Sequence, residues 1–171
     1  MKAIDVLIEA LALLKRSGRR VSAAIAGEGP ESAPLKAQAQ RLEVADQVRF
    51  IGFPAREAFA LGRMLVIPSR AESLPYVVLE AAAAGVPIIA TAVGGVPEIF
   101  GPQADALIPP EDVAALAAAI AATLDDPAQT HRVAAAVRAR VRSEFSSTTM
   151  VEAGLAAYRE ALAMRKLAQF T

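Results

Sequence analysis

Apolar residues recur near the amino terminus at Ile4, Leu7, Ile8, Leu11 and Leu14. That three-and-four spacing puts one helix face against a core. Gly18 and the basic pair Arg19-Arg20 close the helix. The period then changes. "VSAAIAG", "QVRFIGF", "MLVIP" and "PIIAT" are short apolar runs bounded by turn residues, the pattern of buried strands, and "DALIP" predicts a short fifth. Helical segments are expected between them at 35–42, at 56–61 and at Tyr76–Ala84, with Pro75 accepted in a first turn and Gly85 as the stop. Val113, Leu116, Ala117, Ile120 and Leu124 mark a long helix that opens after Glu111-Asp112 and ends near Asp125-Asp126-Pro127. Two more helical segments follow at about 128–143 and 147–165.

Apolar strands alternating with helices imply parallel βαβ units. Right-handed crossovers then place helices on both faces of an open sheet, so the expected class is α/β with a doubly wound, Rossmann-like parallel sheet. One detail departs from that class. The chain opens on a helix, whereas a doubly wound domain opens on its central strand. The expectation is one domain over 1–171 that lacks its first central strand.

Composition narrows the chemistry. The chain has 171 residues, of which 54% are apolar and 5% aromatic, so Ala, Val, Leu and Ile must fill the core. Lys plus Arg equal Asp plus Glu at 18 each, which removes any general attraction to nucleic acid. With no Cys and a single His, His131, disulfides and thiolate or His-rich metal sites are excluded. No Asp-x-Asp occurs, so no metal is expected in the site. Asp5 and Glu9 interrupt the first apolar segment, which therefore does not read as a signal peptide, and the expected location is cytoplasmic.

Candidate chemistry gathers at "ESLPYVVLEAAAAG". Between Ser73 and Pro97 the only charged residue is Glu80, eight positions after Glu72. Ligands of an open parallel sheet bind beyond the carboxyl ends of its strands, and the "PSRAES" loop leaves "MLVIP" at that edge. The helix starting near Pro75 turns its free N–H groups to the same crevice, where they favour a phosphate. The helical rise of ~1.5 Å per residue sets Glu80 roughly 8 Å farther in. A diphosphate on the amides, with a carboxylate on either side for vicinal hydroxyls, suits a nucleotide diphosphate sugar. Spacing alone leaves a second and commoner reading of Glu80, a solvated helix position.

"PSRAESLPYVVLEAAAAGVPIIATAVGGVPE" resembles the E-x7-E segment of the retaining glycosyltransferases of group 1, family 4, which have the GT-B fold. "AGEGPE", "QVRFIGF", "ALIPPED" and "DDP" occur in the same order as in that family, and the resemblance spans residues 2–160. It implies that Glu80 binds the ribose and that Glu72 lies by the donor sugar as the catalytic carboxylate. Ser73, Leu74 and Pro75 match the segment that approaches the sugar and phosphates. Phe50, Ile51 and Gly52 match the strand end that receives the nucleobase through main chain, and Lys2 matches the lysine of a basic clamp on the diphosphate.

The resemblance further implies that the chain is the donor-binding half of a two-domain enzyme whose N-terminal acceptor domain is absent. The first strand and the clamp's arginine are absent with it. "VSAAIAG" and "MLVIP" would then flank a gap, close on each other, or take a borrowed strand, with marginal stability expected in the first case. The apolar stripe Val151, Leu155, Tyr158 and Leu162 on the last helix would be left partly exposed and invite self-association. The expected partners are a nucleotide sugar and an acceptor that is a saccharide or lipid-linked saccharide, in bacterial cell-surface polysaccharide or lipopolysaccharide assembly. The full-length enzyme would sit peripherally at the inner membrane face. No covalent nucleophile is evident, and the chemistry implied is front-face displacement assisted by the leaving phosphate, with no cofactor.

Three rivals remain at this level. Gly27-x-Gly29-x-x-Ser32 is a partial dinucleotide fingerprint, but Glu28 and Glu31 would repel a pyrophosphate. A non-catalytic nucleotide-sugar-binding remnant would keep the donor site alone. Arg132, Arg138, Arg140 and Arg142 read either as a membrane-contact helix or, more simply, as a solvated face.

Overall fold

The structure is a computed structural model that describes residues 2–27, 29–52 and 58–168, without the side chains of 147, 150, 153 and 161–168. Four short strands and seven α-helices alternate along it among the described residues. The order is α1 (Ile4–Arg16), β1 (Ala23–Ala26), α2 (Ser32–Arg41), β2 (Val48–Ile51), β3 (Leu65–Ile67), α3 (Tyr76–Ala84), β4 (Ile88–Ala90), α4 (Val96–Phe100), α5 (Val113–Asp125), α6 (Pro127–Glu144) and α7 (Ser147–Ala168). Local chemistry sets the helix ends. Asp5 lies in the first turn of α1 and Lys15 and Arg16 in its last, matching the helix dipole. Gly18 and Gly85 take φ of 85° and 79° after α1 and α3, a left-handed geometry that costs glycine nothing. Asp112 accepts from the Ala115 N–H at 2.8 Å to cap α5, and Asp126 accepts from the Gln129 N–H at 2.8 Å to cap α6.

β1 pairs in parallel with β2, Ala23 opposite Val48 through Ala26 opposite Ile51. β3 pairs in parallel with β4, Leu65 opposite Ile88 through Ile67 opposite Ala90. No ladder joins β1 to β3 among the described residues, so the sheet is two separate pairs. Of the three outcomes the sequence allowed, the flanked gap is the one observed; neither direct closure nor a borrowed strand occurs among the described residues.

Helices cover both faces. On one, Leu7 and Leu11 of α1 pack with Leu116, Ala117 and Ile120 of α5 over Ile89. On the other, Val78 and Leu79 of α3, Ile99 and Phe100 of α4 and Val137 and Val141 of α6 close over Ile67 and Ala90. A smaller cluster of Ile8, Ala12, Ala39 and Val44 seats α2 on the far flank of α1. Each fully buried Leu, Ile or Phe contributes about 1.5–3 kcal/mol, so the helix faces hold the sheet pairs in place.

Three elements depart from expectation. "DALIP" forms one parallel bridge, Thr91 to Ile108, because a 3₁₀ turn runs over Gly101–Ala106 and Pro109-Pro110 remove the next donors. The helix expected at 56–61 is a 3₁₀ turn at Phe59–Leu61, and its first two residues lie outside the described residues. The short helix α4 was unforeseen, since five residues are too few to show a period.

The arginines of α6 work within the fold. Arg138 Nε donates to the Ala83 carbonyl at the end of α3, and Arg140 Nε donates to the Glu98 carbonyl of α4. Two of the four arginines thus have partners within the fold. Val151, Leu155 and Tyr158 of α7 are exposed as expected, while the Leu162 side chain lies outside the description. No described helix is long and apolar enough to cross a membrane.

Candidate donor site at the carboxyl edge

The loop from Pro68 to Pro75 carries the chain from β3 to the amino end of α3. Ser69 is fully buried at its start, and its Oγ donates to Glu72 Oε1 at 2.6 Å. Ser69 is fixed in turn by Thr91, whose Oγ1 donates to the Ser69 carbonyl at 2.6 Å. Lys2 reaches the same carboxylate oxygen, Nζ to Oε1 at 2.5 Å. One oxygen of Glu72 therefore takes both donors. The other, Oε2, accepts no hydrogen bond from the described residues.

The Glu72 side chain is 12% exposed and that of Lys2 56%. Burial pushes the Glu72 carboxyl up, but hydrogen bonds from Lys2 and Ser69 outweigh it and hold the group below its ordinary range. Glu72 is thus an anion at neutral pH, suited to accepting rather than donating. Ala3 adopts a left-handed φ of 50° just before α1, next to Lys2, a conformation that costs a β-carbon residue about 1–2 kcal/mol.

A second network braces the loop. Arg70 grips Asp5 bidentately, Nη1 to Oδ1 at 3.0 Å and Nη2 to Oδ2 at 2.6 Å, and its Nε donates to Glu111 at 2.8 Å. The hydrogen bonds from Arg70 hold the Asp5 carboxyl below its ordinary range, and the two carboxylates raise the guanidinium. From the other side, the Gly95 N–H donates to the Ser73 carbonyl at 2.6 Å. A β-carbon on Gly94 would overlap the Glu72 carbonyl oxygen, and one on Gly95 would lie 2.9 Å from a Leu74 methyl. The Gly94-Gly95 pair is there to let two backbones cross.

Ser73 is exposed, Leu74 half-buried and Pro75 buried. Pro75 is the N-cap of α3 and supplies no side-chain hydrogen bond; the Val78 N–H donates to the Pro75 carbonyl at 3.0 Å, while the Tyr76 and Val77 amides find no partner among the described residues. Glu80 is exposed on α3, one turn after Tyr76. No hydrogen bond or ion pair joins it to a described residue, and the structure does not bring it to Glu72. Phe50 lies at the end of β2, with the Lys36 ammonium 5.3 Å from its ring centre. The Ile51 carbonyl accepts from the Gly27 N–H at 3.0 Å, so one of the main-chain acceptors expected to face a nucleobase is already engaged. Gly52 is exposed beyond it. The sequence pointed to Lys2, Glu72 and Ser73 to Pro75, which the fold gathers at one edge. It missed Ser69, Thr91, Arg70 and Asp5, whose partners are up to 65 positions away.

Residues 1–140 match the family described as glycosyl transferases group 1. A glycogen synthase of Mycobacterium tuberculosis is 38% identical over 162 residues, 92% of this chain and 39% of that protein. Among solved structures, the sucrose-phosphate synthase of Thermosynechococcus elongatus superposes with a TM-score of 0.80 at 28% identity, over 95% of this chain and 43% of the other. Anabaena HepE, solved in complex with UDP-glucose, gives a TM-score of 0.77 at 26% identity, over 91% of this chain and 45% of the other. The chain thus spans about two-fifths of the curated relative and under half of either solved chain. Its parallel α/β architecture is that of the carboxyl-terminal domain of GT-B enzymes. On the match over most of its length, the chain belongs to the glycosyl transferases of group 1.

Proposed function

We propose that this chain binds the nucleotide diphosphate sugar donor of a retaining glycosyltransferase, as the donor half of a two-domain enzyme. The observation that carries the reading is the Lys2–Glu72–Ser69 cluster beside the uncapped amino end of α3. Two phosphates at that edge take the helix amides and the Lys2 ammonium, which also stabilise negative charge on the leaving diphosphate. Glu72, anionic and with Oε2 open, accepts from a hydroxyl of the donor sugar. Glu80 accepts from the ribose hydroxyls, and the nucleobase lies beyond β2 against Phe50, Ile51 and Gly52. Lys2 and the amides supply the countercharge, and no metal or cofactor enters. Retention follows from displacement on the face of the departing phosphate. The acceptor is a saccharide or lipid-linked saccharide of the bacterial cell surface, and the isolated chain binds donor without transferring sugar.

Calorimetric titration with UDP, UMP and uridine tests the reading. UDP should bind, UMP should bind at least about tenfold more weakly, and Glu80→Ala should abolish the UDP signal. Equal binding of UDP and UMP would remove the diphosphate from the argument. Equal binding of UDP by wild type and Glu80→Ala would remove Glu80 from the site.

A further inference from the structure

Two ion pairs join the same two stretches of chain, residues 2–5 and 70–72. Lys2 Nζ meets Glu72 Oε1 at 2.5 Å, and Arg70 closes on both oxygens of Asp5 at 3.0 and 2.6 Å. The two rungs differ in stiffness. The Lys2 ammonium ends a flexible four-carbon stem whose side chain is 56% exposed, and such a pair gains little from holding one geometry. The Arg70 side chain is 29% exposed, and its planar fork meets a carboxylate through two bonds at once. Its Nε is held as well, by Glu111. Ala3 stands between the rungs, buried in the core shared by α1 and α5. It is the N-cap of α1 at φ 50° and ψ 45°, whereas an N-cap is ordinarily extended and glycine alone takes the left-handed region freely. No side chain caps this helix start to offset the strain. Among the described residues, Ala3, Glu43 and Glu111 are the non-glycine positions with positive φ. Arg70 binds one of these three and grips the residue two positions after another. Strain of this kind persists only where the surroundings over-determine it.

We propose that Arg70 is a positioning residue for the diphosphate: by holding Asp5 it fixes the left-handed turn at Ala3, and that turn aims Lys2 at Glu72. The proposal rests on the donor-site reading for its ligand, while the aim of Lys2 is a property of the free chain. No hydrogen bond joins Arg70 to Lys2 or Glu72 among the described residues, so its influence runs through Asp5 and the backbone of α1. The loop side of the link is anchored without Arg70. Ser69 is fully buried with Thr91 on its carbonyl, and the Gly95 N–H holds the Ser73 carbonyl. The side that Arg70 must hold is therefore the start of α1. Release of Asp5 lets Ala3 relax to the extended conformation usual for an N-cap, which turns the preceding residue away from the loop. Glu72 then keeps the Ser69 hydroxyl and loses its cation, and a phosphate at the amino end of α3 loses the same ammonium.

NMR titration of the Glu72 carboxyl reads the aim of Lys2 without any ligand. Lys2→Ala should raise its midpoint, because the ammonium supplies a hydrogen bond and a charge that favour the anion. Arg70→Met should raise it too in the otherwise wild-type chain, and leave it unmoved when combined with Lys2→Ala, since a residue that acts through Lys2 has nothing left to act on. Asp5→Asn opens the same rung from its other end and should reproduce the pattern in case Arg70→Met fails to fold. UDP affinity should follow the same cycle: Arg70→Met weakens it about fivefold alone and by less than about twofold in the Lys2→Ala background. A Glu72 midpoint unchanged by Arg70→Met and Asp5→Asn would overturn the proposal. So would a shift, or a loss of UDP affinity, that is as large without the Lys2 ammonium as with it, because that result makes Arg70 a brace for the whole fold or a direct source of field. The expected Glu72 pattern in a chain that binds no UDP would instead overturn the donor-site reading and leave the positioning of Lys2 standing.

Discussion

The two strand pairs have the same ladder type but unequal support. Around β3 and β4, ten buried side chains from α3, α4, α6 and the strands form one cluster that includes Phe100 and Ile99. The cluster that seats α2 beside β1 and β2 has four, Ile8, Ala12, Ala39 and Val44. The loop that carries Glu72 grows from the pair beneath the larger cluster. The strand end expected at the nucleobase grows from the lightly packed one. The pair that carries Glu72 thus rests on the larger of these two clusters, and a smaller cluster offers less resistance to local opening.

The largest test of this contrast is truncation. Phe100→Ala should cost about 3–5 kcal/mol and Val44→Ala about 2 kcal/mol, read as denaturant midpoints. Equal losses would mean that the two halves are supported alike. Next is Gly94→Ala, which places a methyl against the Glu72 carbonyl at a φ of 52°. It should cost about 3 kcal/mol and weaken UDP binding about tenfold, whereas Gly29→Ala, with open space around it, should do neither.

Arg70→Met should cost about 1 kcal/mol, because its ion pairs are partly solvated. Its signature is pH. Asp5 has a folded pKa below its ordinary 3.8, so the stability from Arg70 is present above that value and lost as pH falls through the folded one. The variant's deficit should therefore be constant at neutral pH and shrink in acid; a deficit that persists at low pH would assign the loss to packing. The smallest effect on stability is that of Lys2→Ala, under about 1 kcal/mol, with UDP affinity down about tenfold. If affinity is unchanged, the ammonium serves Glu72 alone.

How much the sequence reveals depends on the range of the interaction. α3 falls at Tyr76–Ala84 as expected because Pro75 and Gly85 mark its ends chemically. α5 opens after Asp112 for the same reason. The partners of Glu72 were hidden, since Lys2 is 70 positions away and Ser69 looked like an ordinary loop residue. Arg70 lies inside "PSRAES", yet nothing local announces that it binds Asp5 of α1. "DALIP" shows the opposite failure: its local pattern favours a strand, and the two prolines after Ile108 cut it to one bridge.

Asp125 and Asp126 are neighbours with separate duties. The first grips Arg19 with both oxygens, at 2.6 and 3.0 Å, and the second starts α6. Helix α6 is thereby fixed in phase as well as in place, with Val137 and Val141 turned inward and Arg138 and Arg140 meeting the ends of α3 and α4. An α-helix turns about 100° per residue. Inserting one residue between this pair would uncouple the grip from the start and swing both valines out of the core, so this junction should tolerate substitutions far better than changes in length.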